Sequence, residues 1–111
     1  MPPYVPSQGD YIAASFDPSS GHEQKRRRPA LVVSKELFNR STGLAIVCPV
    51  TNTDRGVPFH VPVGDNGTLG GVVMVEQVKS IDFRARRARR IARASDEVLS
   101  EVLSILDACI Y

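Results

Sequence analysis

No apolar run in this chain approaches the roughly 20 residues that a membrane-spanning helix requires. The opening Met1-Pro2-Pro3-Tyr4-Val5-Pro6 lacks the basic region and apolar stretch of a secretory signal, so the cytoplasm is the expected location. Cysteine is scarce. Cys48 sits in a strand-like apolar run and Cys109 in a helical one, so both read as small core residues rather than as a disulfide. Two cysteines and two histidines, none at ligand spacing, predict no structural zinc, and neither a metal nor any other cofactor is expected. Gly67-Thr68-Leu69-Gly70-Gly71 lacks the Lys and Ser/Thr of a nucleotide phosphate loop. No elbow surrounds a serine, which excludes the common hydrolase arrangement. His22 and His60 suggest a two-histidine ribonuclease only if something brings them together, and the spacing does not. His60, in a weakly alternating run, reads as an ordinary half-buried or surface residue.

What is present is basic. A chain of 111 residues has room for one domain, residues 1–111, and one core. Its 42% apolar and 23% charged residues are ordinary for a globular protein. The net charge of +2 hides the distribution of the cations. Lys25-Arg26-Arg27-Arg28 form one cluster, and Arg84, Arg86, Arg87, Arg89, Arg90 and Arg93 another. Arg dominates both, and the guanidinium fork matches phosphate and carboxylate, so a polyanion can engage either cluster. A solvated charged face explains either cluster alone equally well.

Along the chain, Asp10 to Phe16 read as a first strand, broken by Asp17-Pro18-Ser19-Ser20-Gly21. Pro29 to Ser34 form a buried strand, followed by one or two helical turns from Lys35 to Ser41. Leu44 to Thr51 make another apolar strand, with Pro49 marking an edge or bulge. Phe59 to Val63 form a short strand. Val72 opens a further strand that can continue through Gln77 to Ile81, and one more covers Arg90 to Ala94. The clearest element is last. Ser95 caps a helix with Asp96 and Glu97 at its positive end, and Val98, Leu99, Val102, Leu103, Ile105, Leu106, Cys109 and Ile110 form a broad apolar stripe. That stripe has to be buried against the sheet or a second subunit. The expected class is α+β: a strongly curved antiparallel sheet or small SH3-like barrel with a C-terminal helix.

Two strand ends carry candidate chemistry. Arg28 lies directly against a strand, which fixes its backbone better than that of Lys25 to Arg27, and Thr51 ends another. Should those strands pair, Arg28 and Thr51 can face one groove, with Glu23 in the adjoining loop. Such a set suits RNA cleavage, because the 2′-hydroxyl attacks its neighbouring phosphate and no protein nucleophile or metal is needed. The protein has to help remove a proton, stabilise the pentavalent phosphorus and protonate the leaving 5′-oxygen. From spacing alone, turn-stabilising and solvating roles account for the same residues.

A resemblance changes that balance. Gly9-Asp10-Tyr11-Ile12, Phe16-Asp17-Pro18, Gly21-His22-Glu23-Gln24 and Arg28-Pro29-Ala30-Leu31-Val32-Val33-Ser34 resemble the opening of the MazF/PemK toxins of type II toxin–antitoxin systems. The likeness continues through Asn39, Thr42-Gly43, Pro49-Val50-Thr51, Gly56-Val57-Pro58-Phe59, Gly71-Val72-Val73, Val75 to Asp82 and Arg84-Ala85-Arg86, nearly the whole chain, and is to the MazF branch rather than the Kid/PemK branch. It implies a homodimer with a MazF/CcdB-like fold that cuts single-stranded RNA, mRNA above all, at a short sequence. Cleavage without a metal or the ribosome would leave a 2′,3′-cyclic phosphate and a 5′-hydroxyl, and a MazE-like antitoxin would inhibit it. The family's catalytic Arg, Thr and loop Glu fall on Arg28, Thr51 and Glu23. A guanidinium with a pKa above ~12 is a poor base, so Glu23 is the expected base and Arg28 the charge stabiliser and acid. Gln77 and Lys79 match a strand that lines the family's RNA groove. Lys25, Arg26, Arg27 and Arg86, from the basic clusters, are assigned to RNA contact as well. Phe16 and Phe59 can stack bases but read better as core.

His22 and the added Arg26 and Arg27 depart from the family's loop, and Glu76 stands where Asp is usual. A gyrase poison of the same fold would not need Arg28 and Thr51 and should act through its terminal helix; the matches at Arg28-Pro29 and Val75 to Ile81 argue against it. A non-cleaving RNA-binding module would keep the cations without a competent site, and the intact Glu23, Arg28 and Thr51 argue against that.

Overall fold

Alternation within the strands decides this architecture, because it gives the sheet two apolar faces. The computed structural model describes residues 3–15, 27–54, 56–64 and 69–111. Its strands are β1 (Asp10–Ser15), β2 (Arg27–Val32), β3 (Leu44–Thr51), β4 (His60–Pro62), β5 (Val72–Met74), β6 (Lys79–Asp82) and β7 (Arg89–Arg93). Two helices join them, α1 (Glu36–Thr42) and the C-terminal α2 (Asp96–Ile110). All pairings are antiparallel, in the order β4-β5-β3-β2-β1-β7, with β6 also paired to β3. This is the α+β arrangement expected, built as an open sheet. No described helix is long and apolar enough to cross a membrane.

One face carries Tyr11, Leu31, Cys48, Val50, Val61 and Val73, packed against Val102 of α2. The other carries Ile12, Ala14, Ala30, Val32, Ala45, Val47, Ile81 and Phe83, partly covered by Tyr4 and Val5. Consecutive strand residues point to opposite faces, so Leu31 and Val32, or Val47 and Cys48, belong to different clusters. Ser95 caps α2, its hydroxyl accepting the Val98 N–H at 3.2 Å; the expected apolar stripe is buried at Val102 and half-buried at Val98, Leu99, Leu103, Ile105 and Leu106, while its end, Cys109 and Ile110, is exposed.

Asp10 ties the start of the chain to its far end. Its buried carboxylate accepts from the Tyr4 hydroxyl at 2.6 Å, the Ser7 N–H at 3.0 Å and the Arg93 guanidinium at 3.1 Å. Arg90 approaches the same oxygen as Arg93, at 3.7 Å.

Three details differ from expectation. The run from Val72 to Ile81 is not one strand: after β5, Val75–Gln77 form a single 3-10 turn, and β6 starts at Lys79. The cause lies in β3, which pairs with β6 from Leu44 to Val47 and with β5 at Val50 and Thr51. Two short strands share one long neighbour, and the chain steps between them. Pro49, with no N–H for a ladder, lies where that partner changes. Cys109 is exposed while Cys48 is buried, and both are free thiols, so only Cys48 is a core residue. Phe59 is 42% exposed and does not belong to the core.

Candidate functional site

Strand register brings the two strand ends together. β2 and β3 pair Val32 with Val47, Leu31 with Cys48 and Ala30 with Pro49. Two residues beyond the last of these pairs, at the same end of the two strands, stand Arg28 and Thr51. On its other side Arg28 is paired with Ala14 of β1. Alternation from Ala30 and Val47 puts both side chains on the face of the second apolar cluster, at its end. Arg28 is exposed and, among the described residues, has no carboxylate partner. A guanidinium held by its backbone but not neutralised is suited to receive a phosphate.

The position of Thr51 is set from two directions. Its hydroxyl accepts the Thr53 N–H at 3.2 Å, which turns the chain out of β3. Opposite it, Gly71 (φ +96°) presses on its backbone: a Cβ added there would lie 2.3 Å from the Thr51 carbonyl oxygen. Only glycine permits that approach in that conformation.

Beside Thr51 opens a cleft of about 380 Å³ lined by Thr53, Val57, His60, Met74, Glu76 and Gln77. Gln77, assigned from sequence to the RNA groove, therefore shares a recess with Thr51, although it stands on the 3-10 turn rather than in a strand. Lys79 is exposed and paired with Val47, on the face that carries Thr51. His60, read from the sequence as an ordinary half-buried or surface residue, also lines this cleft. Its side chain is only 6% exposed and faces Glu76, with Nε2 3.1 Å from the carboxylate. Its buried Nδ1 has no partner among the described residues. Only strand pairing, His60 with Met74 and Val61 with Val73, brings this imidazole to the cleft, and no local motif signals it.

The remaining assigned residues part ways. Glu23, Lys25 and Arg26, together with Phe16, lie outside the described residues. Arg86 is half-buried, and its guanidinium donates to the Ser15 carbonyl at 3.3 Å, so it also helps fix the end of β1. Arg27 donates to the Ala13 carbonyl at 2.8 Å and to the Arg87 carbonyl. Burial, then the charges of Arg89 and Arg87, hold its guanidinium below its ordinary pKa. Within the first apolar cluster, burial first and the Glu76 charge second push the Cys48 thiol up to about 12. Among the described residues no group of three or more His, Cys, Asp or Glu is placed to hold a metal ion.

Comparison with known proteins agrees over almost the full length. The family model for PemK-like, MazF-like toxins of type II toxin–antitoxin systems matches residues 7–110. The endoribonuclease toxin ChpB of Escherichia coli K12 is 44% identical over 108 residues, covering 93% of this chain and 92% of that protein. The endoribonuclease toxin MazF of the same strain is 37% identical over 107 residues, covering 96% of each. Among solved structures, a MazE–MazF complex from Deinococcus radiodurans superposes with a TM-score of 0.86 at 37% identity, covering 97% of both chains. MazF alone from that organism gives a TM-score of 0.86 at 42% identity, covering 97% of this chain and 98% of that one.

Proposed function

Because the chain belongs to the PemK-like, MazF-like toxins of type II toxin–antitoxin systems, we propose that it acts in the cytoplasm as a sequence-specific endoribonuclease cutting single-stranded RNA, mRNA above all, at the strand ends that carry Arg28 and Thr51. The observation that carries this reading is the β2–β3 register, which leaves an exposed guanidinium and a hydroxyl at the same end of two paired strands, on one face and beside a cleft. The substrate supplies its own nucleophile. The 2′-oxygen bonds to the adjacent phosphorus, the bond to the 5′-oxygen breaks, and the products are a 2′,3′-cyclic phosphate and a 5′-hydroxyl.

In this scheme no metal and no ribosome is needed. Arg28 offsets the charge gathering on the non-bridging oxygens and hands a proton to the departing 5′-oxygen, while Thr51 holds one oxygen by hydrogen bonding. Glu23 takes the 2′-hydroxyl proton, since a carboxylate is a far better base than a guanidinium. Gln77 in the cleft and Lys79 on the same face bind the strand, with Lys25, Arg26, Arg27 and Arg86 adding phosphate contacts.

Two partners complete the reading. An acidic, disordered segment of a MazE-like antitoxin would compete with RNA for these cations. A second copy of the chain would cover the apolar groove of about 370 Å³ between Val33, Ile46, Val78, Leu106 and Ile110, giving a homodimer.

The test is cleavage of mixed-sequence single-stranded RNA in excess EDTA with both new ends mapped. Cyclic phosphate and 5′-hydroxyl ends, lost on Arg28→Ala and on 2′-deoxy substitution at the cut site, are expected. Cleavage that the chelator abolishes, or that Arg28→Ala leaves intact, refutes the scheme. A Glu23→Gln variant with an unchanged pH profile and near-parental single-turnover rate refutes the role of Glu23 as base.

A further inference from the structure

The turn after β6 and the strand β7 hold their arginines in two different ways. Arg90 and Arg93 are compensated by the buried Asp10. Arg87 and Arg89 are exposed, and among the described residues neither they nor Arg27 has a carboxylate within ion-pair distance. Arg27 is instead tethered by two neutral carbonyls, those of Ala13 and Arg87. That arrangement fixes its position and leaves its charge in place. Arg89 is paired with Ala13, whose carbonyl also receives Arg27, so the three cations gather at one end of β1.

Backbone geometry adds a second, independent observation. The turn after β6 closes with the Ala88 N–H on the Phe83 carbonyl at 2.8 Å and the Arg87 N–H on the Arg84 carbonyl at 3.1 Å. These bonds leave Arg87 in the left-handed region, φ +54°, the only non-glycine residue there among the described residues. Turns of this kind favour glycine at that position, because a Cβ costs roughly 1 kcal/mol there. The Arg87 carbonyl that receives Arg27 would be present with glycine as well. What the strained residue adds is its guanidinium, whose charge acts with that of Arg89 on Arg27, and strain of this kind points to function.

We propose that Arg27, Arg87 and Arg89 form a phosphate-binding subsite that grips the RNA strand beside the cleavage site, outside the nucleotides read by the cleft. The proposal rests on the endoribonuclease reading above. RNA fits better than an isolated anion because Arg27 is the chain neighbour of Arg28. The two side chains leave opposite faces of β2, so a strand whose scissile phosphate sits at Arg28 meets the triad as it passes over the strand end. Every nucleotide carries a phosphate, so the grip is indifferent to sequence and appears as salt-dependent affinity.

The experiment compares the parent, Arg87→Gly, Arg89→Gln and their double variant. Binding is measured with mixed-sequence, uniformly 2′-O-methyl RNA, which cannot be cut, over a series of salt concentrations, alongside thermal unfolding. The double variant should bind several-fold more weakly, with a salt slope shallower by about 1.4, since each phosphate contact on a single strand contributes about 0.7. Arg87→Gly should unfold no lower than the parent, because the left-handed strain is relieved, so a misfolded variant cannot mimic the result. Arg40→Gln, which removes an exposed cation of α1, should leave affinity and slope as in the parent. An unchanged slope in the double variant overturns the proposal. So does a slope unchanged for RNA but reduced for polyglutamate, which would assign the triad to an acidic protein partner. Loss of the endoribonuclease reading is separately visible, as absent cleavage of unmodified RNA by the parent.

Discussion

Replacing Gly71 by Ala tests whether Thr51 works from a fixed position. The added Cβ would sit 2.3 Å from the Thr51 carbonyl oxygen, 2.9 Å from its carbonyl carbon and 3.1 Å from Asn52 Oδ1. The first two atoms are backbone and cannot rotate aside, so relief to an ordinary contact of about 3.4 Å requires roughly 1.1 Å of movement in the end of β3 or of β5. That movement reaches the Thr51 hydroxyl directly, because the same residue carries both. A displacement of about 1 Å in a reacting assembly commonly costs on the order of 10²-fold in rate. The backbone at φ +96° adds about 1–2 kcal/mol of lost stability for any residue with a Cβ. Gly64→Ala is the matched control. It too sits at positive φ (+82°), but among the described residues its Cβ would meet nothing within 4 Å, so it should lose stability and keep its cleavage rate. The assay is single-turnover cleavage below the unfolding transition of both variants, with RNA affinity measured separately. A fall of about 100-fold in rate for Gly71→Ala, with RNA affinity nearly retained, is expected. Parental cleavage by a folded Gly71→Ala protein would refute the reasoning.

Other outcomes follow from the same structure. Arg28→Ala should lower kcat by about 10²–10³-fold, as loss of a preorganised charge does, while its unfolding midpoint moves little because the side chain is exposed; an effect confined to KM would argue against transition-state stabilisation. Tyr11→Phe should leave stability unchanged or raise it by about 1 kcal/mol, since the buried Tyr11 hydroxyl has no partner among the described residues; denaturant unfolding that loses more than this would reveal a missed hydrogen bond. Cys109 should react with a thiol reagent in the folded protein and Cys48 only after denaturation, and two rapid equivalents in native protein would contradict the burial of Cys48. Stability should also fall in alkali. Unfolded, Cys48 loses its proton near 9.0, but folded it keeps it to about 12, and burial likewise moves Tyr11 from 10.0 to about 12. The folded state thus binds more protons in that window, and the stabilisation present below pH 9 is lost as pH rises toward 12, a decline that Tyr11→Phe should lessen and chemical unfolding at stepped pH would measure.

What was legible in the sequence is what local pattern encodes. The stripe of α2, its Ser95 cap and the apolar runs of β1, β2 and β3 each declare themselves within a few residues, and Arg28 and Thr51 stood out as ends of such runs. Their meeting was not legible, because it depends on which strands pair and in what register, a decision distributed across Ala30, Leu31, Cys48 and Pro49. The 3-10 turn at Val75–Gln77 was hidden for a related reason. Val75 is as buried as any strand residue, so hydrophobicity gives no sign that the chain changes partner there. His60 reached the cleft by pairing with Met74 and Phe59 remained in solvent, both settled by how far β4 extends rather than by their own chemistry.

Asp10 has a consequence for how the molecule comes into being. Its bond to Arg93 spans 83 positions of the chain, while β2 and β3 join across a short helical connection. Local pairings form readily, and distant ones wait on the entropy of closing a long loop. During synthesis the β2–β3 pair, with Arg28 and Thr51 already at one end of it, can therefore assemble while β7 is still unmade. Its outer neighbour β1 stays open on one edge until residue 93 arrives, and the buried carboxylate of Asp10 lacks its guanidinium until then. A molecule that attacks RNA in this way gains the buried ion pair that closes its sheet only after residue 93 has been made.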